Sequence, residues 1–266
     1  MKNSIAYLPK DKQEDLAFLV KEVLKRLPQT EYIILYGSYA RDNYVRRGIR
    51  VEEDGIPTVK ISDYDILVIT SGINSKKAET VLDNVENIFF AGKDFDRDTP
   101  VQFINDDIKN FNKFIEKGRY FDEIKEQAQE YFDEKFQRAN GFLRQANHAY
   151  NDKDYRIASF DLHQAAENYY YAIRLSFTLR NNKQHNLSKL SGSAKRYSED
   201  LKTVFPQDTP EEKRLFALLK AAYVDVRYNP HFVVTKEDID KLIPKVELFR
   251  DITERICKER IEGYGK

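Results

Sequence analysis

Only one cysteine, Cys257, occurs in 266 residues, so no disulfide can form within the chain. That scarcity suits a reducing cytoplasm, and Cys257 reads as a small apolar group on the last helix, not a nucleophile. An excess of charge of one sign is also missing: charged residues make up 33% of the chain, yet 44 basic and 44 acidic side chains cancel. Strong attraction to nucleic acid over the whole surface is therefore not expected, although local patches leave such a partner open. No apolar run approaches the length of a membrane span. The first residues lead into a charged helix without the apolar core of a signal peptide. Internal repeats, low-complexity tracts and Gly/Ser-rich linkers are absent too. The expectation is a cytoplasmic protein with no membrane partner, long enough for one large domain or two modest ones.

The texture of the chain changes once. Residues 11–27 show helical spacing, with Leu16, Leu19, Val20, Val23, Leu24 and Leu27 on one apolar stripe. Strands follow at 32–36 and 65–70, a helix runs from Ser75 to Phe90, and a third strand covers Val101 to Ile104. After about Ala128 the strand signals vanish and long helical patterns take over, over Asp154–Leu179, Leu187–Leu201, Thr209–Arg227 and Thr235–Ile261. Thr235 with Asp238 three residues on has the form of a capping box. The fold class expected is an α/β (α+β) domain with a small mixed sheet over residues 1–125, followed by an all-α helical bundle over 126–266.

Chemistry concentrates at two places in the first part. The strand-like Tyr32-Ile33-Ile34-Leu35-Tyr36 delivers Gly37-Ser38 into a turn, where backbone N–H groups suit phosphate oxygens. A second apolar run, Ile66-Leu67-Val68-Ile69, has Asp63 and Asp65 just ahead of it. Residues two apart on a strand share a face, so both carboxylates can aim at one point. Carboxylate oxygens together with substrate phosphates are the ligands Mg²⁺ prefers. The two halves read as a nucleoside triphosphate site.

Leu35-Tyr36-Gly37-Ser38-Tyr39-Ala40-Arg41-Asp42 followed by Ser62-Asp63-Tyr64-Asp65-Ile66-Leu67-Val68 resembles the signature of the nucleotidyltransferases related to DNA polymerase beta, in their minimal form. The resemblance implies transfer of a nucleoside monophosphate from an NTP, ATP being expected, to a hydroxyl or other acceptor with two Mg²⁺ ions. It implies Asp63 and Asp65 as catalytic metal ligands, and Gly37, Ser38 and Arg41 as nucleotide-binding residues. A further aspartate on a later strand completes the metal cluster in active relatives. The aligned position here is Gln102, a possible third metal position whose amide carries no charge and cannot act as a general base. Asp96, Asp98, Asp106 and Asp107 are alternative sources of the third carboxylate. Between the halves, Asn43–Lys60 contains Asp54-Gly55 flanked by extended-type residues, the pattern of a hairpin or ordered loop. Arg46, Arg47 and Arg50 lie there within reach of a triphosphate, although a solvated loop balanced by Glu52, Glu53 and Asp54 is the favoured reading.

Leu162–Tyr170, His185-Asn186-Leu187 and Val226-Arg227-Tyr228-Asn229-Pro230 resemble the HEPN domain, a helical bundle frequently fused to minimal nucleotidyltransferases. HEPN ribonucleases place an arginine and a histidine on one scissile phosphodiester. Here only three residues separate Arg227 from His231, and Pro230 is one of them. Proline resists helix continuation, which puts His231 past the helix end. His163 and His185 read as hydrogen-bonded core histidines. The aromatic content, 13%, follows helical spacing and is expected to serve core and interface packing before base stacking. Tyr169-Tyr170-Tyr171 exceeds what one internal stripe needs, which argues for a homodimer. The leading expectation is a Mg²⁺-dependent nucleotidyltransferase with an unidentified acceptor. The alternative is a catalytically weakened nucleotide-binding regulator of a defence or toxin–antitoxin-like system, and a HEPN ribonuclease is the least favoured reading.

Overall fold

The computed structural model describes residues 4–264 except 47, 52–56, 92–98, 116–117 and 181–184. Two compact units are present. One comprises Met1–Glu126 with Glu262–Lys266, the other Gln127–Ile261.

The first unit contains a three-stranded mixed sheet in the order β1 (Thr30–Tyr36), β4 (Tyr64–Thr70), β5 (Val101–Asp107). β1 pairs antiparallel with β4, and β5 pairs parallel with it. A parallel neighbour needs a crossover, and α3 (Ser75–Phe90) lies in the β4–β5 connection. Every residue of central β4 is buried, which is why Ile66–Ile69 is continuously apolar where an edge strand would alternate. On one face Ile66, Val68, Val101 and Phe103 join Leu16, Leu19 and Val23 of α1 (Lys10–Arg26) and Leu82, Val85 and Phe89 of α3 in a single core. Each such side chain contributes about 1.5–3 kcal/mol on burial. On the other face Tyr32 meets Phe111 of α4 (Ile108–Ile115) with ring centroids 6.1 Å apart, and Tyr36 meets Phe121 of α5 (Tyr120–Asn151) at 5.3 Å.

The α1 stripe is narrower than its sequence implies. Leu16, Leu19, Val23 and Leu27 are buried, whereas Val20 is 37% and Leu24 50% exposed. These two lie one position beyond the buried row, so they flank the core instead of entering it. Gly48–Val51 (β2) and Pro57–Lys60 (β3) form the expected antiparallel pair. The Asp54-Gly55 turn lies outside the described residues.

The second unit is helical. α6 (Tyr155–Thr178) runs through its middle with 18 of 24 residues buried. It packs against α7 (Leu187–Ala194) and α9 (Pro210–Tyr228), while α8 (Leu201–Val204) and α10 (Lys236–Gly263) complete the set. Asp154 accepts from Ile157 N at 3.1 Å, and Thr209 with Glu212 forms a full capping box. The box read at Thr235 is also present: Asp238 N donates to Thr235 Oγ1 at 3.2 Å, and Thr235 N to Asp238 Oδ2 at 3.0 Å. Arg156 Nη2 closes the other end of α9 by donating to the carbonyls of Asp225, Val226 and Asn229 at 3.1, 2.8 and 2.8 Å.

One argument for a dimer is overturned here. Tyr169, Tyr170 and Tyr171 are all buried inside this unit, so they leave no spare aromatic face. A central helix is covered on every side, and its tyrosines are consumed by internal partners: Tyr169 donates to Asn140 Oδ1 at 2.6 Å, and Tyr170 packs on Phe249 at 4.4 Å. Cys257 is buried as expected, and burial pushes its thiol up to about 12, which removes it as a nucleophile at neutral pH.

Candidate functional site

Three strands bring the motif halves together. Asp65 of β4 is the register partner of Tyr36 on β1 and of Gln102 on β5, so Asp65 and Gln102 lie side by side on one face. Gly37 follows Tyr36 directly and has φ +71°. A Cβ on Gly37 would fall within contact distance of Asp65 Oδ2 and 2.9 Å from its Cγ. Glycine is therefore required twice, for the left-handed backbone and for the close approach of the carboxylate. Ser38, half-buried, opens α2 (Gly37–Arg41), and its carbonyl accepts from Asn43 N at 3.1 Å. Five residues sum to little dipole, so any phosphate affinity here comes from individual N–H groups and the Ser38 hydroxyl.

The acidic segment is pinned on both sides. Ser62 N donates to Val45 O at 2.8 Å, while Ser62 Oγ accepts from Val45 N at 2.8 Å. Tyr64 N donates to Pro100 O at 2.7 Å, and its hydroxyl reaches through the core to Asp15 Oδ2 at 3.0 Å. Burial and the Asp15 charge push the Tyr64 hydroxyl up, so it remains a donor. Asp65, buried, lies in β4 within this fixed stretch, and Asp63, half-buried, immediately precedes the strand. Beneath them Tyr39 stacks on Tyr44 at 4.1 Å and hydrogen-bonds Thr99 Oγ1 at 3.1 Å, an atom that also accepts from buried Lys12 Nζ at 2.8 Å. Burial raises the Tyr39 hydroxyl to about 12. This Lys12–Thr99–Tyr39 network had no sequence signal, because Lys12 looks like any exposed helical lysine.

Gln102 is 1% exposed and its Oε1 has no hydrogen-bond partner among the described residues. Such an atom costs about 1–3 kcal/mol in a folded protein unless something accepts its lone pairs. Asp106 and Asp107 do not complete the cluster. They pair with Ile69 and Thr70, four and five positions further along β4 than Asp65, which is about 13 Å or more along the strand. Asp106 is occupied there by Tyr120 Oη at 2.8 Å and Asn110 Nδ2 at 2.9 Å. Asp96 and Asp98 lie outside the described residues. Among the described residues no group of three His, Cys, Asp or Glu side chains is placed to hold a metal. The donor set at this point is two carboxylates and one amide oxygen, all hard ligands that fit a Mg²⁺ ion.

Arg46 is exposed, and Nη2 lies 3.4 Å from Asp11 Oδ1, in keeping with a solvated loop. Arg47 and the side chain of Arg50 are outside the described residues. Arg41 is exposed in the last turn of α2 and lines a cavity beside β1.

In the helical unit His163 donates from Nδ1 to the Leu219 carbonyl at 2.9 Å, and burial lowers its pKa to about 4. It is the core histidine its sequence context suggests. His185 is not: its side chain is 56% exposed, with Nδ1 3.0 Å from Glu167 Oε1 and the ring parallel to Tyr223 at 5.8 Å. It sits just ahead of α7, where an imidazole meets solvent while reaching one buried carboxylate. His231 is exposed beyond the end of α9, and Arg227 turns back to donate to Tyr223 O at 2.6 and 2.9 Å. His231 thus lies past the helix that carries Arg227, as Pro230 implies. Glu167, inside the motif Leu162–Tyr170, was the only hint of the Glu167–His185 contact.

Residues 132–256 match the family model of the HEPN domain. The HEPN match covers helices α6 to α9 with parts of α5 and α10, and so assigns the helical second unit. The α/β unit that precedes it, with its three strands, lies outside the HEPN match. No curated protein matches the chain. No helix among the described residues is long and apolar enough to cross a membrane.

Proposed function

We propose that the α/β unit binds a Mg²⁺–nucleoside triphosphate, ATP in the first instance, and transfers its nucleoside monophosphate to an acceptor. The observation that supports this reading is the Asp65 carboxylate packed against Gly37, which joins the Gly-Ser turn to the paired aspartates. Asp63 and Asp65 would hold Mg²⁺, with the Gln102 amide oxygen beside Asp65 as the remaining hard donor. The cation's part would be to neutralise charge on the phosphates. Gly37 N–H and the Ser38 N–H and hydroxyl would donate to the outer phosphates. An acceptor oxygen would then attack the α-phosphorus, the bond to the β-phosphate would break and pyrophosphate would leave. The acceptor proton goes to solvent, because a glutamine amide has no basic form.

That last point favours a second reading, a nucleotide-binding regulator of a defence or toxin–antitoxin-like system in which transfer is slow. The HEPN match accompanies either reading. Both include a homodimer, and neither uses a membrane partner. Calorimetry with Mg²⁺-ATP, followed by pyrophosphate release over a panel of acceptors, tests them in turn. Asp63→Asn with Asp65→Asn should abolish Mg²⁺-dependent binding while leaving the circular dichroism spectrum unchanged. Unchanged affinity in that double variant would defeat the assignment. Tight binding without pyrophosphate release would select the second reading.

A further inference from the structure

A cavity of about 1230 Å³ lies beside β1, lined by Ile33, Ile34 and Leu35, by Ala17 and Val20 of α1, by Arg41 of α2, by Ile66 of β4 and by Ser4, Ile5 and Tyr7 of the segment ahead of α1. Consecutive strand residues point to opposite faces. Three in a row can line one cavity only from the edge of the strand. β4 occupies one edge of β1, so the cavity opens at the other and continues beneath the sheet on the α1 side, where it reaches Ile66. That edge is unpaired: no backbone group of Glu31–Leu35 bonds to any described residue beyond the β4 pairing. Ala17 and Val20 leave apolar surface exposed on the α1 side. The Arg41 side chain makes no ion pair or hydrogen bond with any described residue.

We propose that this edge captures an extended peptide segment, which adds to β1 as a fourth strand and sets its terminal carboxylate on Arg41. Each of the observations asks for a different part of such a ligand. Unpaired backbone groups ask for another backbone. The apolar walls ask for side chains at alternate positions. The unpaired guanidinium asks for an anion, and carboxylate matches its planar fork. β1 runs from Thr30 towards Gly37, with Arg41 following in α2. A strand added parallel to β1 therefore carries its C-terminus to the arginine. A fatty acid would satisfy the walls and the arginine but leave the backbone edge unpaired. The peptide is favoured for that reason. Arg41 is the one residue this inference shares with the nucleotide site that the sequence resemblance implies, so peptide binding is measured without Mg²⁺ or nucleotide, where failure of the nucleotide reading leaves it unaffected.

The test is fluorescence anisotropy on the full chain with a labelled peptide of about eight residues, alternating valine and threonine and ending in a free carboxylate. Comparators are the same peptide with an amidated end and one N-methylated at alternate backbone nitrogens. The carboxylate form is expected to bind about tenfold tighter than the amide, and the N-methylated peptide not at all. Arg41→Glu should erase the carboxylate preference, and Val20→Glu should remove binding altogether. Both positions are exposed; should Val20→Glu fail to fold, the Arg41→Glu comparison decides by itself. Absence of binding to the wild type, equal binding of the N-methylated peptide, or retention of the carboxylate preference in Arg41→Glu each overturns the proposal. Displacement of the peptide by decanoate at equal concentration would assign the cavity to an amphiphile, and a dimer abolished by Val20→Glu would assign the edge to a second copy. Either result also overturns it.

Discussion

Gln102 stands beside Asp65 in the parallel register of β4 and β5, buried, with its carbonyl oxygen unpaired among the described residues. A fold that leaves one buried acceptor bare next to a carboxylate gives up stability at that point. Such local inconsistencies cluster where function constrains the chain. Gln102→Asp converts the donor set to three carboxylates. Without Mg²⁺, the added buried charge should lower stability by about 1–3 kcal/mol. Added Mg²⁺ should restore it, and pyrophosphate release from Mg²⁺-ATP should rise. Thermal unfolding with and without Mg²⁺ checks the first part, and the release assay the second. A variant indifferent to Mg²⁺ in both would separate Gln102 from the metal site.

Gly37→Ala should be disproportionately damaging for a single methyl group. The residue keeps φ +71°, and the new Cβ meets the Asp65 carboxylate rather than a flexible tip. We expect a loss of about 1–3 kcal/mol in stability together with loss of Mg²⁺-ATP binding, read by urea unfolding and calorimetry. Gly118 has a similar φ of +65° with open space around it, so Gly118→Ala should show backbone strain alone and leave nucleotide binding intact.

Asp161 and His163 set opposing pH trends in the same helix. Burial raises the Asp161 carboxyl from 3.8 to about 6, so its stabilising neutral form is fully present below pH 3.8 and is lost as pH rises through 6. Burial lowers His163 from 6.5 to about 4, so its contribution is full above pH 6.5 and is lost as pH falls through 4. Asp161→Asn should therefore be more stable than the wild type above pH 6, with the advantage vanishing towards pH 3.8. His163→Gln should flatten the loss of stability on acidification between pH 6.5 and 4. Paired denaturation series at several pH values read both differences.

The homodimer, deprived of Tyr169–Tyr171, has another candidate surface. Val224 and Tyr228 on α9, with Val233 after it, are 50%, 74% and 75% exposed. A patch of this kind marks an interaction surface in many proteins. Tyr228→Lys should convert a dimer into the 31.3 kDa monomer by light scattering, with an unchanged circular dichroism spectrum. A wild type that is itself monomeric at micromolar concentration would remove the dimer from the proposed function.

Periodicity made the order of elements legible: the apolar run Ile66–Ile69 became the fully buried central strand, and the turn at Gly37 fell between β1 and α2. What stayed hidden was geometry across strands. The family resemblance already singled out Gln102, but periodicity in Val101–Asp107 does not say which residue stands opposite Asp65, and the β4–β5 register is what puts Gln102 there and Asp106 remote from it. Helical pattern was read from about Ala128, but the start of α5 at Tyr120 was not, because its 32 residues carry a polar, aromatic-punctuated pattern across what reads as a domain boundary. His185 and Val20 show the same limit on a smaller scale, since neither burial nor exposure of one side chain follows from its neighbours in sequence.

Tyr7 belongs to the few residues ahead of α1, yet its hydroxyl donates to the carbonyls of Tyr39 and Ala40 at 2.9 and 3.2 Å. Those are carbonyls at the end of α2, where the Tyr39 oxygen has only a long 3.4 Å bond from Asp42 N as its backbone partner in the turn. The turn bearing Gly37 and Ser38 is consequently tethered from outside by a segment far away in sequence. An affinity tag fused close to residue 7, or a trimmed leading segment, would slacken that tether. Preparations differing only there would then differ in how firmly the Gly-Ser turn is held.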